Sequence, residues 1–153
     1  MSVAFRRESD DEHLEPRFEL PIPPGPNLVT PRGAVLIAAR VAALEAELAA
    51  AADADAAKPI ARDLRYWKTR RATAIETAPR GDGVVGFGSR VRFALNGQER
   101  VVTLVGDDEA DPPAGLLAFS APLARALMGA EAGDLVAFNG RDDAIEVLAV
   151  AGA

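Results

Sequence analysis

Apolar residues recur along this chain with two different periods, and the change of period divides it. From Thr30-Pro31 onward, Ala34, Ile37, Val41, Leu44, Leu48 and Ala51 follow one another at alternating steps of three and four. That is the narrow stripe of a coiled-coil seam, not a broad globular face. Thr30 is a helix N-cap by type, and Pro31 fits the first helical position, where its missing N–H costs nothing. The stripe stops at Ala52-Asp53-Ala54-Asp55-Ala56-Ala57, and Lys58-Pro59 restarts a helix. Along it Ile60, Leu64, Trp67, Arg71 and Ala74 repeat the same steps up to Thr77-Ala78-Pro79. Two helices of similar length, one seam each and a short loop predict an antiparallel αα-hairpin. At 1.5 Å per residue its arms are roughly 30 Å long. Arg71 in the seam predicts looser pairing near the base, or a guanidinium that snorkels outward.

After Val84 the period falls to two. Ser89 to Leu95 alternates, Asn96-Gly97 is a type I′ hairpin signal, and Arg100 to Val105 returns. A polar loop follows over Gly106-Asp107-Asp108-Glu109-Ala110-Asp111-Pro112-Pro113, then a strand at Leu116 to Phe119. Pro122 opens a short helix that Gly129 closes at the usual C-cap place. Leu135 to Phe138, the turn Asn139-Gly140 and Ala144 to Leu148 complete a second hairpin. The sum is a small antiparallel sheet of four to five strands with one covering helix, hence α+β. Phe87, Phe93, Phe119 and Phe138 are its aromatic core candidates.

The first 29 residues follow neither period. Pro16, Pro21, Pro23, Pro24 and Pro26 predict an extended, proline-rich arm. It is a mobile tail or a docking arm that lays down Phe18, Leu20, Ile22 and Leu28. Three segments result: an arm over 1–29, a hairpin over 30–79 and a sheet domain over 80–153. Charge follows the same division. The arm holds three Arg and six acids, residues 30–78 hold eight Lys/Arg and six acids, and residues 79–153 six Arg and eleven acids. Only the middle segment is basic, although the chain as a whole carries −6. A net acidic chain does not wrap duplex DNA as its main task.

Composition removes most covalent chemistry. The chain has no Cys, so disulfides, thiolate metal sites and Cys nucleophiles are excluded, and its one His, His13, sits in a charged N-terminal stretch, which argues against a Ser-His-Asp triad. No cofactor or metal site is expected. With no apolar run of about 18 residues and no secretory leader, it is expected to be cytoplasmic and away from membranes.

Few groups remain to carry function. Asp53 and Asp55 in the alanine-rich turn are a metal-reaching tip or acids that merely solubilise a turn. Arg62, Arg65, Lys68, Arg70 and Arg71 make the second helix basic, either as a solvated face or as a surface for RNA or acidic protein. Trp67 at a seam position reads as core rather than as a base-stacking platform. Asp107, Asp108, Glu109 and Asp111 are acidic enough for Ca²⁺, but lack the glycine and bidentate spacing of an EF-hand.

Several of these motifs occur together, in order, in one known family. Phe87-Gly88-Ser89, the loop Val105 to Asp111, the run Ser120 to Gly129 and Gly133-Asp134 closely resemble the C-terminal domain of bacterial GreA/GreB transcript-cleavage factors. Thr30-Pro31 with Gly33 is similar to that family's entry into its coiled coil. The resemblance covers roughly residues 28–150. It implies an FKBP-like sheet domain that binds bacterial RNA polymerase at the rim of the secondary channel, with Ser120, Ala121, Pro122 and Arg125 as the matching contact positions. It also implies a coiled coil inside the channel, whose acidic tip helps hold a second Mg²⁺ of the polymerase.

Two departures from the family pattern matter. The usual tip carries an Asp and a Glu three apart, where this chain has only Asp53 and Asp55. Each arm is also about 10 residues shorter, a deficit of roughly 15 Å in reach. Shortened hairpins of this kind are similar to those of the nucleoside-diphosphate-kinase regulator branch. The expectation is therefore a non-enzymatic, polymerase-binding regulator of elongation, with Arg62, Arg65 and Lys68 as candidate contacts to RNA or an acidic surface. The rival reading is a cleavage-stimulating factor that delivers Asp53 and Asp55 to the active-site Mg²⁺. Prolyl isomerase activity rests on the FKBP-like fold alone, and residues 79–153 have no Trp or Tyr to line a proline pocket. A generic interaction module using the basic helix is the remaining alternative.

Overall fold

In a computed structural model, residues 19–152 are described. His13, Pro16 and Phe18 lie outside them. The chain divides into two compact units. Among the described residues, one takes 19–25 together with Ile37–Thr73, and the other takes Pro26–Leu36 together with 74–152. Two elements give residues 26–36 their place with the sheet. Strand β1 (Leu28–Val29) pairs in parallel with β2 (Ile75–Glu76), and Thr30 is hydrogen-bonded to Glu109.

Helix α1 spans Pro31–Ala49 and α2 spans Ala54–Thr73. Ile37, Val41 and Leu44 are buried in α1, as the steps of three and four require. Val41, Leu44 and Leu64 form one apolar cluster, flanked by Leu48, Ile60 and Trp67. Trp67 is therefore half-buried against that cluster. Two details differ from the sequence expectation. Helix α2 starts at Ala54, four residues before Lys58, and carries Pro59 inside it. The seam also ends on Arg70, which is 2% exposed, while Arg71 faces solvent. After Trp67 a step of three or of four keeps either residue on the seam side, and the helix takes three. The guanidinium carbon of Arg70 lies 6.0 Å from the Tyr66 ring centroid, and that of Arg40 lies 5.9 Å from the Trp67 ring centroid.

The second unit is built on a five-stranded sheet of β3 (Ser89–Leu95), β4 (Gln98–Val105), β5 (Leu116–Ala118), β6 (Leu135–Phe138) and β7 (Arg141–Gly152), in the order β5-β4-β3-β7-β6. Both Asn-Gly turns have positive φ at each residue, 53° and 85° at Asn96-Gly97 and 52° and 77° at Asn139-Gly140. Those are type I′ turns, and each joins an antiparallel pair. The expected all-antiparallel sheet is corrected at one edge, because β5 runs parallel to β4. Two short 3-10 turns, Asp107–Glu109 and Pro112–Ala114, carry the chain back so that it re-enters in the same direction.

Alternation puts Ser89, Val91 and Phe93 of β3 inside and Arg90 and Arg92 outside. Helix α3 (Pro122–Leu127) adds Ala124 and Leu127 to a core of Val91, Phe93, Leu104, Ile145 and Val147. The architecture is thus mixed α+β, with two long helices and one five-stranded sheet. Among the described residues, no helix is long and apolar enough to cross a membrane.

Candidate functional site

Three groups of residues carry the functional expectations, and the structure places each differently. The first surrounds the start of α3. Ser120, Pro122 and Arg125 are exposed, and Ala121 is half-buried at the N-cap position. Pro122 occupies the first turn, where its fixed φ suits the helix. Ala121 has no side-chain oxygen to cap that turn, so its carbonyl alone receives the Arg125 N–H, at 2.9 Å. The Ser120 hydroxyl donates to Asp107 in the acidic loop. Pro122 and Arg125 are three apart on the helix and share its solvent side. The four positions therefore lie together at the start of the helix, with Arg125 in no ion pair among the described residues.

The second group is the basic face of α2. Arg62 pairs with Asp63 at 3.1 Å, and Lys68 reaches Glu45 at 3.8 Å. Arg65 donates through both Nε and Nη2 to the two oxygens of Glu19, at 3.0 and 2.5 Å. That hydrogen bond holds the Glu19 carboxyl below the ordinary carboxylate range and raises Arg65 in turn. Acidification must therefore pass below the usual Glu range before the pair is lost.

The third group is the turn between the long helices. The Asp53 carboxylate accepts the Ala56 N–H at 2.8 Å, and its carbonyl receives the Ala57 N–H at 3.0 Å. Asp53 is thus the N-cap of α2, with Asp55 in the first turn where a negative charge favours the helix dipole. Among the described residues, no three His, Cys, Asp or Glu side chains converge into a set that could hold a metal. Replacing Asp53 with alanine is expected to lower stability by about 1 kcal/mol through loss of the cap, measured as a shift in the urea midpoint.

Sequence reasoning missed one residue of consequence. Glu109 is 4% exposed, and its carboxylate accepts the Thr30 N–H at 3.0 Å, the Thr30 hydroxyl at 2.5 Å and the Gly106 N–H at 3.1 Å. Thr30 Oγ1 in turn accepts the Gly33 N–H at 3.0 Å. In a capping box, the Glu of the third helical position reaches back to the N-cap N–H. Here that position is Gly33, and Glu109 supplies the carboxylate from 79 residues away. Gly33 must be glycine for this to work, since a Cβ there would lie 2.2 Å from Glu109 Oε2. The Thr-Pro-x-Gly and Gly-Asp-Asp-Glu motifs are the two halves of one latch. Phe87-Gly88-Ser89 is likewise structural: Ser89 Oγ accepts the Gly86 N–H at 2.9 Å, and Phe87 meets Phe119 edge to face at 5.4 Å.

These features define a class: a small mixed sheet domain, latched through a buried Glu to the start of a long helix, with an exposed Pro-Arg turn. Residues 80–151 match the C-terminal domain of the transcription elongation factors GreA and GreB. Through this domain the chain is similar to the GreA/GreB family. It is 38% identical over 84 residues to transcription elongation factor GreA of Sinorhizobium medicae, covering 52% of this chain and 53% of that one. Against GreA of Rhizobium etli it is 37% identical over 86 residues, 54% of each. The chain thus matches about half the length of these curated relatives. Among solved structures, GreA factor homolog 1 (Gfh1) of Thermus thermophilus is similar at 18% identity, covering 84% of this chain and all of that one with a TM-score of 0.38. A GreA/GreB factor from Nitrosomonas europaea is similar at 21% identity and a TM-score of 0.39.

Proposed function

We propose that this chain is a regulator of transcription elongation that binds bacterial RNA polymerase through its C-terminal domain, near the secondary channel. Two curated relatives are named transcription elongation factors, and their likeness supports the reading. The observation that carries it is the exposed turn at Ser120–Arg125, whose Pro122 and Arg125 stand free at the surface of the family domain. In this reading the sheet domain is FKBP-like and docks on the channel rim, and the two long helices form a short antiparallel coiled coil. Arg62, Arg65 and Lys68 on α2 meet RNA or acidic protein. The chain itself performs no catalysis.

Transcript cleavage is the rival reading, and the turn between the helices weighs against it. Asp53 spends one carboxylate oxygen on the α2 cap, and helices of 19 and 20 residues are short for the task. A hairpin about 15 Å short cannot place carboxylates within the roughly 2.0–2.6 Å that metal ligation needs. The deciding experiment is binding of the full chain to RNA polymerase, followed by RNA 3′-fragment release from a stalled, backtracked complex. Binding with release at its intrinsic rate is expected, both for the parent and for Asp53→Ala with Asp55→Ala. Release stimulated by the parent and lost in that double variant would establish the rival.

A further inference from the structure

One face of the five-stranded sheet carries the core and helix α3, and the other is open to solvent over its middle strands. On that outer face the pairing registers set up three rows across the strands. Glu99, Ala94 and Glu146 form the first, which Leu135 extends to the edge. Val101, Arg92 and Ala149 form the second, and Thr103, Arg90 and Ala151 the third. A sheet face left in water is ordinarily polar at its outward positions. Here Val101 is 41% exposed and Leu135 57%, and Ala149 and Ala151 leave a depression of about 190 Å³ beside the two arginines. The charges are sorted as well, with acids in the first row and arginines in the other two. Arg92 is paired with Glu99 at 3.2 Å, whereas Arg90 and Glu146 are exposed and form no ion pair among the described residues.

We propose that this face is the contact of a homodimer, in which a second copy of the chain packs sheet on sheet about a two-fold axis that crosses the strands along the Val101–Arg92–Ala149 row. A two-fold contact needs a surface complementary to itself. The order of the rows meets that need, because a half-turn about this axis exchanges the first row with the third. Arg90 of one copy then lies over Ala94 of the other, between that copy's Glu99 and Glu146. Symmetry makes the same contact a second time. The small side chain of Ala94 leaves room for the guanidinium, and Val101 and Ala149 bring apolar surface to the axis. The two Arg92 side chains meet near the axis, each already neutralised within its own chain by Glu99. A partner of uniformly acidic or uniformly basic surface would set like charges against one of the rows, which a second copy avoids. Strands spaced at about 4.8 Å and rows at about 6.7 Å give a footprint of roughly 20 by 15 Å. That is small for a specific interface, so the dimer dissociates in the micromolar range.

The test is sedimentation equilibrium of the full chain at about 0.15 M salt, where repulsion between two acidic copies is screened beyond roughly 8 Å and the contact pairs remain. The weight-average mass of the parent should rise with concentration from 16.0 kDa toward twice that value. Arg90→Glu and Glu146→Arg, each alone, should weaken association at least tenfold, as should Val101→Glu in the central row. Glu47→Arg makes the same charge change at an exposed site of the helical unit and should leave the parent value. Mixed in equal amounts, the Arg90→Glu and Glu146→Arg chains should associate within about threefold of the parental affinity, since residue 90 of each then faces an opposite charge at residue 146 of the other. Damage to the fold by either substitution cannot produce that rescue. A parent that stays at 16.0 kDa over about a hundredfold range of concentration overturns the proposal. So does a mixture of the two charge variants that stays monomeric. A parental dimer that Val101→Glu leaves unchanged also overturns it, and places the interface elsewhere.

Discussion

Glu109→Ala is expected to destabilise the sheet unit by about 3 kcal/mol, the largest loss among the substitutions considered. Its carboxylate accepts three hydrogen bonds while almost wholly buried. Truncation leaves the Thr30 and Gly106 N–H groups without that acceptor, at about 1–3 kcal/mol for each buried group that finds no substitute. It also removes a negative group from the N-terminus of α1, worth about 0.3–1 kcal/mol more. Glu109→Gln keeps one acceptor oxygen but turns an NH₂ toward the remaining donors, so roughly half the loss is expected. Urea unfolding gives the comparison through the midpoint at unchanged slope.

Gly33 supplies an internal control for that latch. Gly33→Ala alone drives a Cβ into the Glu109 carboxylate, at 2.2 Å from Oε2 and 2.3 Å from Cδ. The carboxylate is pinned by its hydrogen bonds and cannot swing aside without breaking them, so the substitution should destabilise. In a Glu109→Ala background the obstacle is gone, and alanine is the better helix former by about 1 kcal/mol. The sign of Gly33→Ala should therefore reverse between the two backgrounds. A cycle in which the two changes simply add would disprove the latch.

How much of this was legible depended on the distance over which each feature is set. The α1 seam at Ile37, Val41, Leu44 and Leu48 and both Asn-Gly turns are local patterns, and each could be read from a dozen residues. Arg70 in place of Arg71 could not, because a helix period of 3.6 leaves steps of three and four equally open. The early start of α2 could have been found: Asp53 followed by alanines is a capping signal, which the proline at 59 obscured. The direction of β5 is absent from any local pattern, since a period of two is the same for parallel and antiparallel pairing. Glu109 was the hardest. Its acidity read as part of a polar loop, and only the meeting of residues 30 and 109 turns it into a cap. For the candidate site, the residue types at Ser120, Ala121, Pro122 and Arg125 were legible, including the uncapped first turn. Their common exposure, and the engagement of Ser120 by Asp107, needed the fold.

The largest functional effect is expected at that turn. Pro122→Ala with Arg125→Glu should lower affinity for RNA polymerase by about ten- to a hundredfold, on the proposal that this surface docks. Arg125 is exposed and forms no ion pair among the described residues, so reversing its charge removes no contact of the fold. Pro122→Ala replaces one residue suited to the first helical turn with another, and the missing N–H at that position was never part of the helix ladder. Stability should therefore stay within about 1 kcal/mol of the parent, which a thermal melt checks independently. An exposed cation that meets an acidic partner surface acts mainly on association, so the double variant should bind more slowly and with a shallower dependence on salt. The Asp53→Ala variant, which changes only the far end of α2, should keep parental affinity in the same assay. A folded double variant that binds polymerase as tightly as the parent would remove docking from Ser120–Arg125.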